Sequence, residues 1–196
     1  MNHSHSHSRR VLVSGLVVAA ALITTSARAA VAVTPKVSAD EMARHERYMR
    51  LAIAQAKRNP GRPFGSVIVD NRSGDVVGEG VVNMGANPMY HSEVVAMNDY
   101  IARHGNQDWA NLTMYGTGEA CPMCMSAMIW AGLPSCVYGS EMPFVRKYVN
   151  LINIRAKDVI AAAHPLYKSK LLLGGVLAPI TDAMFVDRAK ALAAPK

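Results

Sequence analysis

The chain has 196 residues, 51% of them hydrophobic, which suits one sizeable core and would crowd two full domains. Its formal charge of +7 falls to +4 once Arg9, Arg10 and Arg28 are set aside with the leader described next, a modest excess that does not announce a nucleic-acid binder. Only three cysteines are present and two share one short motif, so a disulfide framework is excluded as the organising device.

Residues 1–29 have the layout of a cleaved export signal: Arg9-Arg10, an apolar run from Val11 to Ile23, and small residues at both ends of Ala27-Arg28-Ala29. The apolar run is too short to span a bilayer as an uncleaved helix. The mature chain is therefore expected in the periplasm with no stable membrane anchor. Ser8-Arg9-Arg10-Val11-Leu12 resembles a twin-arginine signal, with ordinary secretion as the alternative. The twin-arginine route carries folded proteins, which would let a metal be loaded before the thiols meet an oxidising compartment. His3, His5 and His7 lie in the part that is removed. Residues 30–37 read as a short linker and 38–196 as one domain.

Ser38-Ala-Asp-Glu41 is a capping box that opens a helix, whose apolar positions Met42, Met49, Ile53 and Ala56 recur at helical spacing until Asn59-Pro60-Gly61 stops it. Phe64 to Asp70 and Val76 to Val82, joined by a turn at 71–74, read as a hairpin. A polar loop from Asn83 to Tyr90 leads to a helix from near His91 to the His104-Gly105 stop. Leu112 to Gly116 is a strand, Cys121 to Ala131 a helix and Ser135 to Gly139 a strand, an order that predicts a parallel pair with a crossover. Beyond Glu141 the spacing predicts helices at 144–150 and 155–163, a strand at 170–173 and a closing helix at 181–194. Cys136, in an apolar strand, reads as a buried unreactive thiol.

Two motifs carry chemistry. His91-Ser92-Glu93 and, about thirty residues on, Glu119-Ala120-Cys121-Pro122-Met123-Cys124 offer one imidazole and two thiolates. Three such ligands suit Zn²⁺, one per chain, and leave the fourth tetrahedral position open, the mark of a catalytic site. His45, His104 and His164 are each isolated in the sequence and read as solvated, so none supplies a fourth ligand to make a structural zinc knot. Glu93 is placed to take a proton from the attacking water and give it to the leaving group. His91 and Glu93, two apart, converge on one metal only if His91 lies in the very first turn or just before it, while Cys121 and Cys124 fall on one face of their helix.

H-x-E followed by C-x-x-C is a zinc deaminase signature. On these residues the chain resembles the cytidine/deoxycytidylate deaminase superfamily, over residues 40 to 190, closest in look to guanine deaminase-like members. The resemblance implies an α/β fold, a three-layer α/β/α sandwich around a mixed five-stranded sheet, with the deaminase domain over 38–196 and a homodimer as the usual assembly. Phe64, in Pro63-Phe64-Gly65, and Asn83 resemble the family's substrate-binding positions, where a ring stacks on the base and an amide reads its edge. Asn87-Pro88-Met89-Tyr90 departs from the usual approach to the histidine, Ala120 replaces the usual proline, and the larger Tyr90 is in a position to wall the pocket. Met123, Met125 and Met128, with Trp130, read as core filling along the helix that follows Cys121.

The substrate cues point two ways: Trp130-Ala131-Gly132 resembles guanine deaminase-type chains, and His164-Pro165 with Gly174-Gly175 resembles the tail of tRNA adenosine deaminases. An exported enzyme meets free bases and nucleosides but not the tRNA pool. The expectation is ammonia release from a small aminated heterocycle, a guanine-like purine first and cytosine or a nucleoside second, with no nucleic-acid partner. A tRNA adenosine deaminase is the alternative in the same chemistry, and a non-catalytic structural zinc module the alternative of another class.

Overall fold

The structure, a computed structural model, describes residues 37–194; the expected leader at 1–29 and most of the linker at 30–37 lie outside the described residues. Helix α1 (Ala39–Lys57) starts where the sequence places its cap. Ser38 Oγ accepts the Glu41 N–H at 3.2 Å and the Glu41 carboxylate accepts the Ser38 N–H at 2.9 Å. Tyr48, Met49, Ala52, Ile53 and Ala56 form its buried face. Gly65 opens β1 (Gly65–Asp70) directly beneath that face. A Cβ there would lie 2.4 Å from the Ala52 carbonyl oxygen, so only glycine lets helix and strand come this close.

β1 turns back into β2 (Val76–Val81), with a register irregularity between Ile68 and Val69. Helix α2 (Ser92–His104) then crosses the opposite face, and its first turn sits on Gly80 of β2, where a Cβ would lie 2.0 Å from the Ser92 carbonyl oxygen. That close seat sets the depth at which His91 and Glu93 enter the molecule. β3 (Leu112–Gly118), α3 (Pro122–Ala131) and β4 (Ser135–Ser140) follow as the expected parallel strand–helix–strand unit. The short helices α4 (Met142–Val145) and α5 (Ala156–Ala162), strand β5 (Leu171–Leu173) and helix α6 (Ala178–Ala193) complete the chain.

The strand order is β2-β1-β3-β4-β5, with β1 antiparallel to both its neighbours and β3, β4 and β5 parallel. Successive strand residues point to opposite faces, which divides the core in two. Ile68, Met114 and Cys136 pack with Ala96 and Met97 of α2 and with Met125 and Met128 of α3. Val67, Val69, Tyr115 and Val137 pack with Tyr48, Met49 and Ala52 of α1, joined by Met184 of α6. This is the three-layer α/β/α arrangement around a mixed five-stranded sheet. β3 and β4 are buried along their whole length because helices cover both faces. Among the described residues no helix is long and apolar enough to cross a membrane.

Four expectations change. The helix expected at 144–150 is only α4, and the chain leaves it at Arg146. Tyr148, Val149 and Asn150 have modest helix propensity, and tertiary contacts hold this stretch along the wall of a cavity instead. The closing helix starts at Ala178, earlier than residue 181, because Pro179 suits the first turn, where its missing N–H costs nothing. His45 is not solvated: it is buried on α1, with Nδ1 2.9 Å from the Tyr115 hydroxyl. Three and four residues before Tyr48 and Met49, it lies on their buried stripe. Trp130 is not core filling. It is 78% exposed, because Cys124, Met125, Met128 and Ile129 take the inward face of α3 and leave residue 130 on the outer one. Met125 and Met128 are buried as expected, and burial pushes the Cys136 thiol upward, in keeping with an inert thiol.

Candidate active site

His91 is the N-cap of α2 and Cys121 the N-cap of α3, both with extended backbone (φ −68°, ψ 157° and φ −68°, ψ 167°). An N-cap side chain usually folds back to accept a helix N–H; neither of these does. Both project instead toward one point, so two helix starts, with their free N–H groups and positive dipole ends, converge on the same place. Pro122 at the first turn of α3 gives up no hydrogen bond and fixes the entry angle. Cys124, one turn on, brings its sulfur beside that of Cys121.

His91 Nδ1 lies 3.4 Å from Cys121 Sγ and 3.6 Å from Cys124 Sγ, and the two sulfurs are 3.5 Å apart. Tetrahedral Zn²⁺ with bonds of about 2.0–2.3 Å needs ligand atoms separated by roughly 3.4–3.8 Å. The three donors therefore fit zinc in both type and spacing, and they form the metal-ligating cluster found among the described residues. The contact with Cys124 holds the Cys121 thiol down to about 4, with His91 adding to the effect; the same contact pushes Cys124 up, and its burial adds to the rise. The same contact with Cys121 raises His91.

Glu93 is the second residue of α2 and is 6% exposed. Burial raises its pKa, and the charge of Cys121 adds to the rise. A chain of hydroxyls unnoticed in the sequence reaches it from the sheet: Ser66 Oγ of β1 donates to Ser92 Oγ at 2.8 Å, which donates to Glu93 Oε2 at 3.0 Å. Ser92 sits inside the His-Ser-Glu motif, a position that could have drawn notice; Ser66 comes from a strand with no local signal.

In the sequence Glu119 stands out only as the opening of the cysteine motif. Its side chain is nearly inaccessible and accepts the N–H groups of Met142 and Ala156, each at 2.9 Å, together with Arg155 Nε at 2.7 Å. One carboxylate thus ties the starts of α4 and α5 to the residue two before Cys121. Arg155 also reaches Glu141 at 3.1 Å.

A cavity of about 480 Å³ is lined by His91, Glu93 and Cys121, the last two buried, by Phe64, Val82, Met123 and Leu151, and by the exposed Arg62 and half-buried Arg188. Phe64 is both wall and core: its ring packs on Phe185 at 5.0 Å between centroids. The structure therefore brings together Phe64, His91, Glu93, Cys121 and Cys124. Asn83 lies elsewhere, exposed at the head of its loop, where its N–H donates to the Tyr90 carbonyl at 2.8 Å. It opens with Tyr90 onto a neighbouring groove bordered by Glu79 and Asp99, so neither residue lines the cavity above the metal ligands.

A mixed-sheet α/β/α fold with a His-Cys-Cys donor set fit for zinc at two helix starts is the arrangement of a zinc-binding deaminase domain. The family model for the cytidine and deoxycytidylate deaminase zinc-binding region matches residues 42–140, and the chain belongs to that family. It is 31% identical over 103 residues to a guanine deaminase of Bacillus subtilis, covering 50% of this chain and 65% of that one. It is 29% identical over 137 residues to a probable cytosine deaminase of Schizosaccharomyces pombe, covering 68% and 78%. A tRNA-specific adenosine deaminase of Streptococcus pyogenes is 30% identical over 99 residues, 48% of this chain and 61% of that one. The match thus spans a little under two thirds of the guanine and tRNA deaminases. Among solved structures, the fold resembles that of NE0047 in complex with 2,6-diaminopurine, with a TM-score of 0.68 at 19% identity over 78% of this chain and 85% of that one. It also resembles a guanine deaminase from Nitrosomonas europaea, with a TM-score of 0.63 at 21% identity over 80% and 88%.

Proposed function

We propose that this chain releases ammonia from a small aminated heterocycle, a guanine-like purine first and cytosine or a nucleoside second. The observation that carries the reading is Glu93, buried beside the three zinc donors on the lining of a cavity wide enough for a base. His91, Cys121 and Cys124 would hold the zinc, which would supply the Lewis acidity that makes a water a nucleophile near neutral pH. Glu93 takes the proton that the attacking water gives up and hands it to the ring nitrogen beside the amino-bearing carbon. It then takes the remaining proton from the hydroxyl added to that carbon and carries it to the amino group, which leaves as ammonia as the C–N bond breaks and the carbon becomes a carbonyl. Water is consumed and ammonia released one for one. Ser92, backed by Ser66, fixes one carboxylate oxygen so that the shuttle keeps its aim, and Phe64 offers a ring face to the base.

Export of the mature chain from residue 30 onward favours free bases and nucleosides over tRNA, and a homodimer is the proposed assembly. Similarity to tRNA adenosine deaminases keeps adenosine in RNA as the second reading. Ammonia release from zinc-loaded protein against guanine, cytosine, their nucleosides and an RNA stem-loop separates the two. Turnover of a free base supports the first reading, and activity confined to the stem-loop would replace it with the second.

A further inference from the structure

The cavity lining carries charge that the metal chemistry does not use. Arg188 of α6 is held in place by two neutral acceptors: its Nε donates to the Gly61 carbonyl and its Nη1 to the Tyr148 carbonyl, each at 2.8 Å. The first of these anchors is the residue next to Arg62, whose own guanidinium hydrogen-bonds, among the described residues, to the soft thioether of Met84, at 2.8 Å. The two arginines stand 126 positions apart in sequence, so no local run of basic residues announces them. The fold sets both on the lining of one cavity, Arg62 exposed and Arg188 half-buried.

Neither guanidinium forms an ion pair among the described residues, whereas Arg72, Arg103 and Arg155 all do. The acids of the same cavity are committed elsewhere: Glu119 to Arg155, and Glu93 to its buried place beside the zinc donors. Two uncompensated guanidiniums beside largely apolar walls focus a positive field on the cavity. The cavity, at about 480 Å³, falls within the ~300–1,000 Å³ of pockets that enclose drug-sized ligands, and leaves room beyond a bare ring.

We propose that Arg62 and Arg188 form an anion-reading subsite, so that the preferred substrate is an aminated heterocycle bearing a phosphate or carboxylate at the end opposite the amino group. The inference rests on the deaminase reading and narrows it. The guanidinium fork suits either oxyanion, because both present paired oxygens. With the amino group at Glu93, the anionic end of such a molecule faces the two arginines and is gripped there. Arg188 is held by its two carbonyl anchors, one on the residue before Arg62 and one on the residue before Val149, both of which line the cavity.

The test compares matched pairs on zinc-loaded protein: guanosine with its 5′-monophosphate, cytidine with its 5′-monophosphate, and pterin with pterin-6-carboxylate. The readout is the ratio of kcat/KM for the anionic member to that for the neutral one. That ratio should exceed one in the wild type and fall roughly tenfold or more in Arg62→Gln and Arg188→Gln, the scale of one charge-assisted hydrogen bond. It should be unmoved in Arg50→Gln, on the outer face of α1. Arg62→Gln disturbs no backbone contact, so it keeps the test decisive should Arg188→Gln fold poorly. The nucleotide and pterin arms tell phosphate from carboxylate, and inorganic phosphate should compete with anionic substrates. Neutral members turned over as efficiently as their anionic partners would overturn the subsite and leave the deaminase standing. If no small molecule releases ammonia, the deaminase reading falls, and calorimetric binding of guanosine and its 5′-monophosphate to Glu93→Gln protein still decides the anion preference. Binding of an RNA stem-loop alone would reassign the arginines to a nucleic-acid backbone.

Discussion

His91 and Cys121 hold the same position in two different helices: each is the N-cap residue, neither caps its own helix, and Nδ1 and Sγ meet 3.4 Å apart. The relationship explains why residues only two apart, His91 and Glu93, can both serve one centre. On a regular helix they would diverge, but the extended backbone at residue 91 turns the imidazole off the helical path while Glu93 enters from inside the first turn.

Cys121→Ser and Cys124→Ser should each lose zinc and be less stable than the wild type, because the ligands tie two helix starts together and metal binding is linked to folding. Metal content per chain after dialysis against a weak chelator, read beside the thermal midpoint, checks this. A serine variant that retains one zinc as tightly as the parent would remove that cysteine from the ligand set.

Ser92→Ala removes the hydroxyl that donates to Glu93 and leaves Ser66 without its acceptor. Turnover should fall about tenfold, in kcat more than in KM, since the change loosens the proton shuttle rather than the pocket. Ser66→Ala should show a smaller drop in the same direction. A rise in KM alone would make this pair a substrate contact instead of a support for Glu93.

Glu119→Ala would leave Arg155 and the N–H groups of Met142 and Ala156 without their shared acceptor. Breaking a buried pair from one side costs about 3–5 kcal/mol, and the partial exposure of Arg155 places this case at the lower end, about 3 kcal/mol. Urea unfolding of the zinc-loaded protein measures it. A loss below about 1 kcal/mol would show that α4 and α5 are anchored by other contacts.

His45 supplies a pH dependence away from the metal. Burial lowers its pKa and the charge of Arg44 lowers it further, against a smaller opposite effect from Glu41; the Tyr115 hydroxyl faces the ring. The folded state thus favours the neutral ring. The stability this contributes is complete above the unfolded value near 6.5 and is lost as pH falls from there toward the lower folded value. The thermal midpoint of the wild type should drop more steeply between pH 7 and pH 5 than that of His45→Gln, which can still bond Tyr115 and cannot titrate. Parallel curves would contradict this.

What the sequence made legible was local. Ser38 and Glu41 cap α1 as their spacing indicates, and the two zinc motifs fall at helix starts because a motif and a helix boundary are both short-range signals. His45 was legible too, standing on the stripe of Tyr48 and Met49, but its residue type suggested solvent. The outward place of Trp130 is not legible, because α3 is apolar almost all round and composition does not say which face turns outward. Ser66, Arg155, Arg62 and Arg188 reach the site from other elements. Only the sheet order and the path of the chain after α4 bring them there, and no spacing along the sequence records that.

The central claim is that Glu93 moves the protons. Zinc content and ammonia release measured on the same preparations of wild type and Glu93→Gln test it most directly, since the amide matches the carboxylate in shape and cannot shuttle. The account predicts one zinc per chain in both proteins and a loss of ~10²–10⁴-fold in turnover for the variant; a Glu93→Gln protein that keeps its zinc and deaminates at the wild-type rate would contradict it.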